Sequence, residues 1–325
     1  MRVLSRRILF YALTALVAIT VDFLIPRLMP GNPVEALLAR LQSQVTTGTI
    51  KSLEAQFGLN TREGLWGQYV HYLNNIVHGN LGISTGYYPS TVASVIRGGL
   101  PWTLALVGIA TIISFVLGTA LGVLVAWRRG SWLDNMLPAM TFFQAAPYFF
   151  IAFLALDLFA TRLGWFPTGQ AYSLGTFPAW NVSYAGDVLS HAALPALTIV
   201  VCSAAGWIVG MRNVMVTTMD EDYVLVAHAK GLGRRRVVWY AARNAILPSI
   251  SGFSLAIGFV VSGALLTEIV FSYPGLGWIL LQAVNNRDYP LLQGIFLIIT
   301  FTVLAANLAA DTMYVLLDPR TRQEA

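Results

Sequence analysis

Long apolar runs separated by polar intervals set the pattern of this chain. Six of them, residues 8–25, 102–127, 136–160, 192–211, 250–271 and 291–317, are about as long as the roughly 20 helical residues that cross a hydrocarbon core. Each run is continuous and lacks the two-residue alternation of a barrel strand, so all six are expected as helices. A seventh apolar piece, in YPGLGWILLQAVNNRDYP (residues 273–290), is too short to span and reads as an interfacial or re-entrant helix after a Pro-Gly turn. The expected fold class is an all-α integral membrane protein with six transmembrane helices. Residues 1–30 form an N-terminal anchor span, 31–100 an extracytoplasmic region, and 101–325 a five-span core. Arg6 and Arg7 precede the first run as in a signal peptide, but that run continues through Asp22 without a small-x-small cleavage site and reads as a retained anchor.

Composition agrees. Hydrophobic residues are 56% of the chain and charged residues 11%, too few charges to cover a water-soluble surface. The distribution of those charges orients the spans. With the N-terminus inside, the inner segments collect Arg2, Arg6, Arg7, Arg128, Arg129, Arg212, Lys230, Arg234, Arg235, Arg236, Arg243, Arg320 and Arg322, which is 13 of the 20 basic residues. The positive-inside rule then places both termini in the cytoplasm. The same bias accounts for the net charge of +5 without a nucleic-acid partner, since the basic residues border spans and form no separate domain. The single cysteine, Cys202, lies within the fourth run and builds neither a disulfide nor a cysteine metal site in this chain.

One polar interval stands apart. Between the fourth and fifth runs lie 36 residues (212–247), far longer than the other inner connections. Asp220, Glu221 and Asp222 mark a helix start, where acidic groups complement the positive end of the helix dipole. That helix is expected to reach Lys230. Gly231 and Gly233 then supply a turn, and a second helix follows over 234–246, with Pro248 marking the start of the fifth span. Small residues at the turn, Ala227, Ala229, Gly231 and Gly233, suit insertion into a groove on a partner. A purely electrostatic connector explains Arg234 to Arg236 equally well.

The stretch DYVLVAHAKGLGRRRVVWYAARNAILP (222–248) closely resembles the coupling loop of binding-protein-dependent ABC transporter permeases, in the dipeptide/oligopeptide/nickel branch. RLMPGNPVEALL, QFGLNTREGLWGQYVHYLNNIVHGNLGIS, RRGSWLDNMLP, EIVFSYPGLG, NNRDYPLLQG and LLDPRTR resemble further segments of that branch, in family order and over nearly the whole chain. The acidic-Ala-Ala opening of the wider superfamily's motif is replaced here by Leu225, Val226 and Ala227. The resemblance, to the first of two permease subunits, implies a type I ABC importer permease fold. It also implies a second permease subunit, two cytoplasmic ATPases carrying ATP and Mg, and an extracytoplasmic solute-binding protein. Residues 216–248 become the coupling loop, with Ala227, Ala229, Lys230, Gly231 and Leu232 at the docking tip and Asn244 and Pro248 framing the second helix. Short peptides are the implied solute, with oligosaccharides or nickel as alternatives within the branch.

Several other patterns in the chain bear on this reading. A Walker A loop needs Gly-x-x-x-x-Gly-Lys-Ser/Thr, and neither Lys51 nor Lys230 stands in one, so no cofactor is expected on this chain. Gly82-Ile83-Ser84-Thr85-Gly86 matches a hydrolase nucleophile elbow but lacks the strand-turn-helix setting that motif requires. His71, His78, His191 and His228 have no zinc-binding spacing and are expected at surfaces or interfaces. Asp22, Asp157, Glu268 and Asp311 fall in or near spans, where helix pairing or interfacial solvation competes with the proton relay of an ion-coupled carrier. Gly118 and Gly122 of GTALG stand one turn apart and permit close helix contact, and Pro138, Pro147 and Pro195 can kink their helices. Tyr87, Tyr88, Trp165, Phe166 and Trp180 crowd the outer side, as a lipid-interface belt or as stacking groups for sugar rings.

Overall fold

The computed structural model describes residues 2–28, 64–258, 260 and 265–317, with the side chains of 2–8, 26 and 310–317 left aside. The expected features at 29–63, at the C-terminal tail and at the Asp311 side chain lie outside the described residues.

Every named element among the described residues is helical, and the single β-bridge, Ile83 to Thr91, is isolated. In chain order these are α1 (Arg2–Leu28), α2 (Leu65–Val77), α3 (Val92–Trp127), α4 (Trp132–Asn135), α5 (Leu137–Ala145), α6 (Tyr148–Ala155) with a π-helical continuation (Leu156–Arg162), and α7 (Val182–Met219). There follow α8 (Asp222–Ala229), α9 (Arg234–Gly258), α10 (Leu265–Val270), α11 (Leu276–Asn285) and α12 (Tyr289–Leu317). By length and composition α3, α7 and α12 can each cross a bilayer, and the pair α4–α5 with α6 and its π turn makes a fourth if it is one bent span. The first apolar run forms α1, whose apolar stretch Leu9–Ile25 is shorter, and the fifth is divided between α9 and α10.

Helices α3 and α7 form the central pair, and GTALG explains why they meet. A Cβ added to Gly118 would stand 2.5 Å from Trp207 Cβ and 2.9 Å from the Ala204 carbonyl oxygen, and one on Gly122 would stand 2.7 Å from Met211 Cβ and 2.8 Å from the Ile208 oxygen. The backbones touch because no side chain intervenes. Both helices outrun the membrane: 36 and 38 residues correspond to about 54 and 57 Å. Their first turns are capped by Thr91, which accepts from Ser94 N–H, and by Asn181, which accepts from Tyr184 N–H.

The third run departs from a single span. It turns through 100° between Ala145 and Tyr148. Pro147 has no N–H to continue the helix and forces Ala146 out of the helical region, to φ −70°, ψ 132°. The fifth run departs in the other direction. Pro248 does not separate a loop helix from a span, because α9 runs unbroken through it from the polar island. The missing Pro248 N–H leaves the Asn244 carbonyl without its i+4 donor, and a helix tolerates that loss where other contacts hold it.

At the end opposite the island, two buried carboxylates fasten the short helix α11 and the loop beside it. Its first two free N–H groups are both satisfied, Leu276 N–H by Thr103 Oγ1 on α3 at 2.8 Å and Gly277 N–H by Glu268 Oε2 on α10 at 2.6 Å. Glu268 is fully buried and sits at the positive end of a helix, so its position in an apolar run is that of a cap. Gly275 is required beside it, since a Cβ there would collide with the Glu268 carboxyl group. Asp288, also fully buried, receives the Ser84 hydroxyl, Gly86 N–H (2.8 Å) and Leu291 N–H (3.2 Å), tying the 82–91 loop to the start of α12.

Two outcomes are expected. Gly122→Val, which places two methyl groups against backbone, should cost about 1–3 kcal/mol and lower the thermal unfolding midpoint in detergent. Glu268→Ala should cost about 1–3 kcal/mol by orphaning Gly277 N–H, whereas Glu268→Gln, which keeps an acceptor, should lose less; equal losses would remove the capping account.

Candidate functional site: a docking knob and a broken-helix cavity

The polar island folds as two helices around a turn. Glu221 occupies the N-cap of α8, and Gly231 adopts φ +75°, a conformation that favours glycine. Lys230 N–H bonds the Val226 carbonyl (3.0 Å), Gly231 N–H that of His228 (2.9 Å) and Leu232 N–H that of Ala227 (3.3 Å), which closes α8 before Gly233 opens α9.

The knob is held rigidly from behind. Val224 and Ala227 of α8, Val237, Val238, Ala241, Ala242 and Ala245 of α9, Met211 and Met215 of α7, and Ala126 of α3 form one buried apolar cluster. The helical period divides the expected tip residues accordingly. Ala227 is buried in this cluster and Leu232 half-buried against it, while Ala229, Lys230 and Gly231 are exposed. Asn244 and Pro248 lie exposed on α9.

The outward side of α8 also holds two residues that are not among the expected tip residues. Leu225 and Val226 are 56% and 50% exposed, next to Ala229. Their signal was present: α8 is apolar on both sides, which a water-facing helix has no reason to be. Farther along, Trp239 and Tyr240 of α9 are also exposed. Below the knob, Arg212 of α7 bonds Asp134 Oδ1 at 3.0 Å, and Gly130 N–H reaches Asp134 Oδ2 at 3.1 Å, which fixes the connection after α3 to α7.

A second site lies at the break in the third run. Gln144 and Tyr148 flank Pro147 and line a cavity of about 470 Å³ together with Thr111 of α3, Cys202, Ser203, Gly206 and Trp207 of α7 and Ala256 of α9. Tyr148 Oη stands 3.5 Å from Ser203 Oγ. Because the helix is interrupted, the Tyr148 and Phe149 N–H groups have no backbone acceptor among the described residues. Non-helical backbone at membrane depth is stable only inside protein or beside a water-filled space. Among the described residues no charged side chain lines this cavity.

The remaining patterns resolve as structure. Ser84 is fully buried and its hydroxyl is bonded to Asp288, with no histidine partner among the described residues. His191 is buried and bonds the Asp187 carbonyl through Nδ1 at 2.9 Å, where a surface or interface position was expected. Asp157 pairs with exposed Arg162 at 2.9 Å. Asp22 is buried, and its Oδ2 has no hydrogen-bond partner among the described residues. Phe166 packs into the core, whereas Tyr87, Tyr88, Trp165 and Trp180 are exposed. Among the described residues no cluster of His, Cys, Asp and Glu could hold a metal ion.

Known proteins are similar in sequence to this chain over nearly their whole length. A peptide permease protein of Brucella suis is 36% identical over 97% of each chain. The di/tripeptide transport system permease protein DppB of Pseudomonas aeruginosa is 32% identical over 93% of each chain, and the oligopeptide transport system permease protein AppB of Bacillus subtilis is 31% identical over 94% of each. The family described as the binding-protein-dependent transport system inner membrane component matches residues 118–323, the span that contains the glycine seam, the broken helix and the knob. With that match and those relatives, the chain belongs to the family of binding-protein-dependent transport system inner membrane components.

Proposed function

We propose that this chain is one permease subunit of an ATP-driven importer of short peptides, crossing the membrane six times with both termini in the cytoplasm. A second permease completes the path, two ATPases dock on the coupling loops of the two permeases, one of which is residues 216–248 here, and a solute-binding protein delivers peptide from outside. ATP and Mg reside on the ATPases, and this chain hydrolyses nothing.

The observation that carries the reading is the knob. Leu225, Val226, Ala229, Lys230 and Gly231 face outward, while Val224, Ala227 and Leu232 anchor the same turn to α7 and α9. A surface that is apolar outside and locked inside can receive a push from a partner and pass it on without deforming. Ala227 and Leu232 act in this from behind, and Asn244 and Pro248 from the shaft of α9. The relatives' names supply the solute class: all those compared above are named for peptides, none for oligosaccharides or nickel.

The path surface is assigned to the broken-helix cavity. Gln144, Tyr148, Ser203 and Thr111 offer uncharged donors and acceptors, suited to the amide backbone that all peptides share and indifferent to their side chains. Against the ion-coupled carrier, Oε2 of Glu268 caps α11 by accepting from Gly277 N–H, although Oε1 is buried without a hydrogen-bond partner among the described residues.

Gly231→Val places a β-branched residue at φ +75° and should lower peptide-stimulated ATP hydrolysis by the complete complex about tenfold, equivalent to ~1.4 kcal/mol of coupling. Gln144→Leu combined with Tyr148→Phe should instead reduce uptake of trialanine into proteoliposomes while leaving docking of the ATPases intact. Uptake by this chain alone along a proton gradient, or stimulation by nickel or oligosaccharides and not by peptides, would overturn the reading.

A further inference from the structure

A groove of about 560 Å³ lies between the last turns of α3 and the first turns of α9, at the knob end of the bundle. Its floor is apolar: Ala120, Val123 and Leu124 on one wall, Val238, Ala242 and Ile246 on the other. Trp127 and Trp239 stand at its mouth, Trp239 with 74% of its surface exposed. Arg235 and Arg243 line the rim. Arg235, Trp239 and Arg243 recur every fourth residue and therefore share one face of α9. Both arginines are exposed, no acidic residue lines the groove, and neither has an ion-pair partner among the described residues.

The groove opens onto the exposed apolar face of α3 that carries Ile113, Val116, Leu117 and Leu121. In a membrane that face meets acyl chains. Arg128 and Arg129, directly after α3, add positive charge at the same level. An apolar channel continuous with lipid, closed at the water side by tryptophans and two unpaired guanidinium groups, has the polarity profile of a phospholipid lying head to tail. The unpaired charges decide which phospholipid. A zwitterionic headgroup carries its own cation and leaves the arginines partly unanswered, whereas an anionic headgroup with a free phosphodiester meets both.

We propose that this groove is a binding site for an anionic phospholipid of the cytoplasmic leaflet, its phosphate held by Arg235 and Arg243 and one acyl chain lying along Ala120, Val123 and Leu124. The leaflet assignment rests on the orientation given under Proposed function. Because α9 continues from the docking turn, the lipid bridges the coupling knob to α3, and its presence stiffens the joint through which the knob acts.

The test uses the complete transporter in bilayers of phosphatidylcholine with and without phosphatidylglycerol. Electron spin resonance with spin-labelled phosphatidylglycerol and spin-labelled phosphatidylcholine measures which lipid the protein retains. The wild type should select phosphatidylglycerol. Arg235→Gln or Arg243→Gln alone should weaken the specific component roughly fivefold, and the pair together about 30-fold. Ala120→Phe, which fills the floor and keeps both charges, should also lower it. A double variant with undiminished selectivity, or an Ala120→Phe variant identical to wild type, overturns the proposal. Loss of co-purifying ATPase in the double variant with lipid selectivity unchanged assigns the arginines to a protein interface and overturns it as well. Binding-protein-stimulated ATP hydrolysis, measured on the same wild-type samples, is a separate readout: its absence in every lipid overturns the importer reading and leaves the lipid selectivity to be judged on its own.

Discussion

Close contact between α3 and α7 is the constraint on which the rest of the molecule depends. Lipid offers no hydrophobic drive to bring two apolar helices together, so they associate by packing alone, and packing is strongest where backbones touch. Gly118 and Gly122 allow that contact over a full turn, against Ala204, Ile208 and Met211. The consequences radiate from there. Met211 and Met215, set by this seam, form the seat for α8, and Trp207 on the same face of α7 packs edge-on against Phe115 at 5.1 Å. Phe115 in turn stacks on Phe253 of α9 at 4.2 Å. The seam thus positions both the knob and the central cavity.

Away from the seam, buried polar groups replace packing as the organising force. Glu268 and Asp288 would each be costly in an apolar interior if unpaired. Each is placed where a helix start leaves free N–H groups, so one carboxylate satisfies donors that would otherwise be orphaned. This fixes α11 and the 82–91 loop with a few directional bonds, in a region where the helices are too short to hold one another by area.

How much of this was legible follows the kind of signal involved. Apolar runs and helix-breaking residues are local, and they located α3, α7, α12 and the helix-turn-helix island, including its turn at Gly231. GTALG announced a close contact but not its partner, because the partner lies about 85 residues away on α7. For Glu268 the sequence offers helix pairing or interfacial solvation against a proton relay, and no cap, because its acceptor role depends on Gly277 N–H, a backbone group that sequence does not display. Pro147 and Pro248 have the same chemistry and opposite outcomes. At Pro147 the chain turns through 100°, while at Pro248 the helix continues. Only tertiary surroundings separate them, since Ala241, Ala242 and Ala245 bind the turns before Pro248 to the knob cluster and no residue of α5 is buried.

That contrast bears on how force would cross the molecule. Helices α7 and α9 both run from the knob into the span region without interruption, and a hydrogen-bonded helix moves as a rod rather than a spring. Any displacement of α8 would therefore reach Trp207 and Ala256, which line the central cavity. The opposite wall of that cavity is the broken helix, where Gln144 and Tyr148 flank a proline joint with few backbone bonds across it. Stiff levers on one side and a compliant joint on the other concentrate any relative motion at the cavity itself. The arrangement would allow the shape of this cavity to change while the α3–α7 seam, and with it the fold, stays fixed.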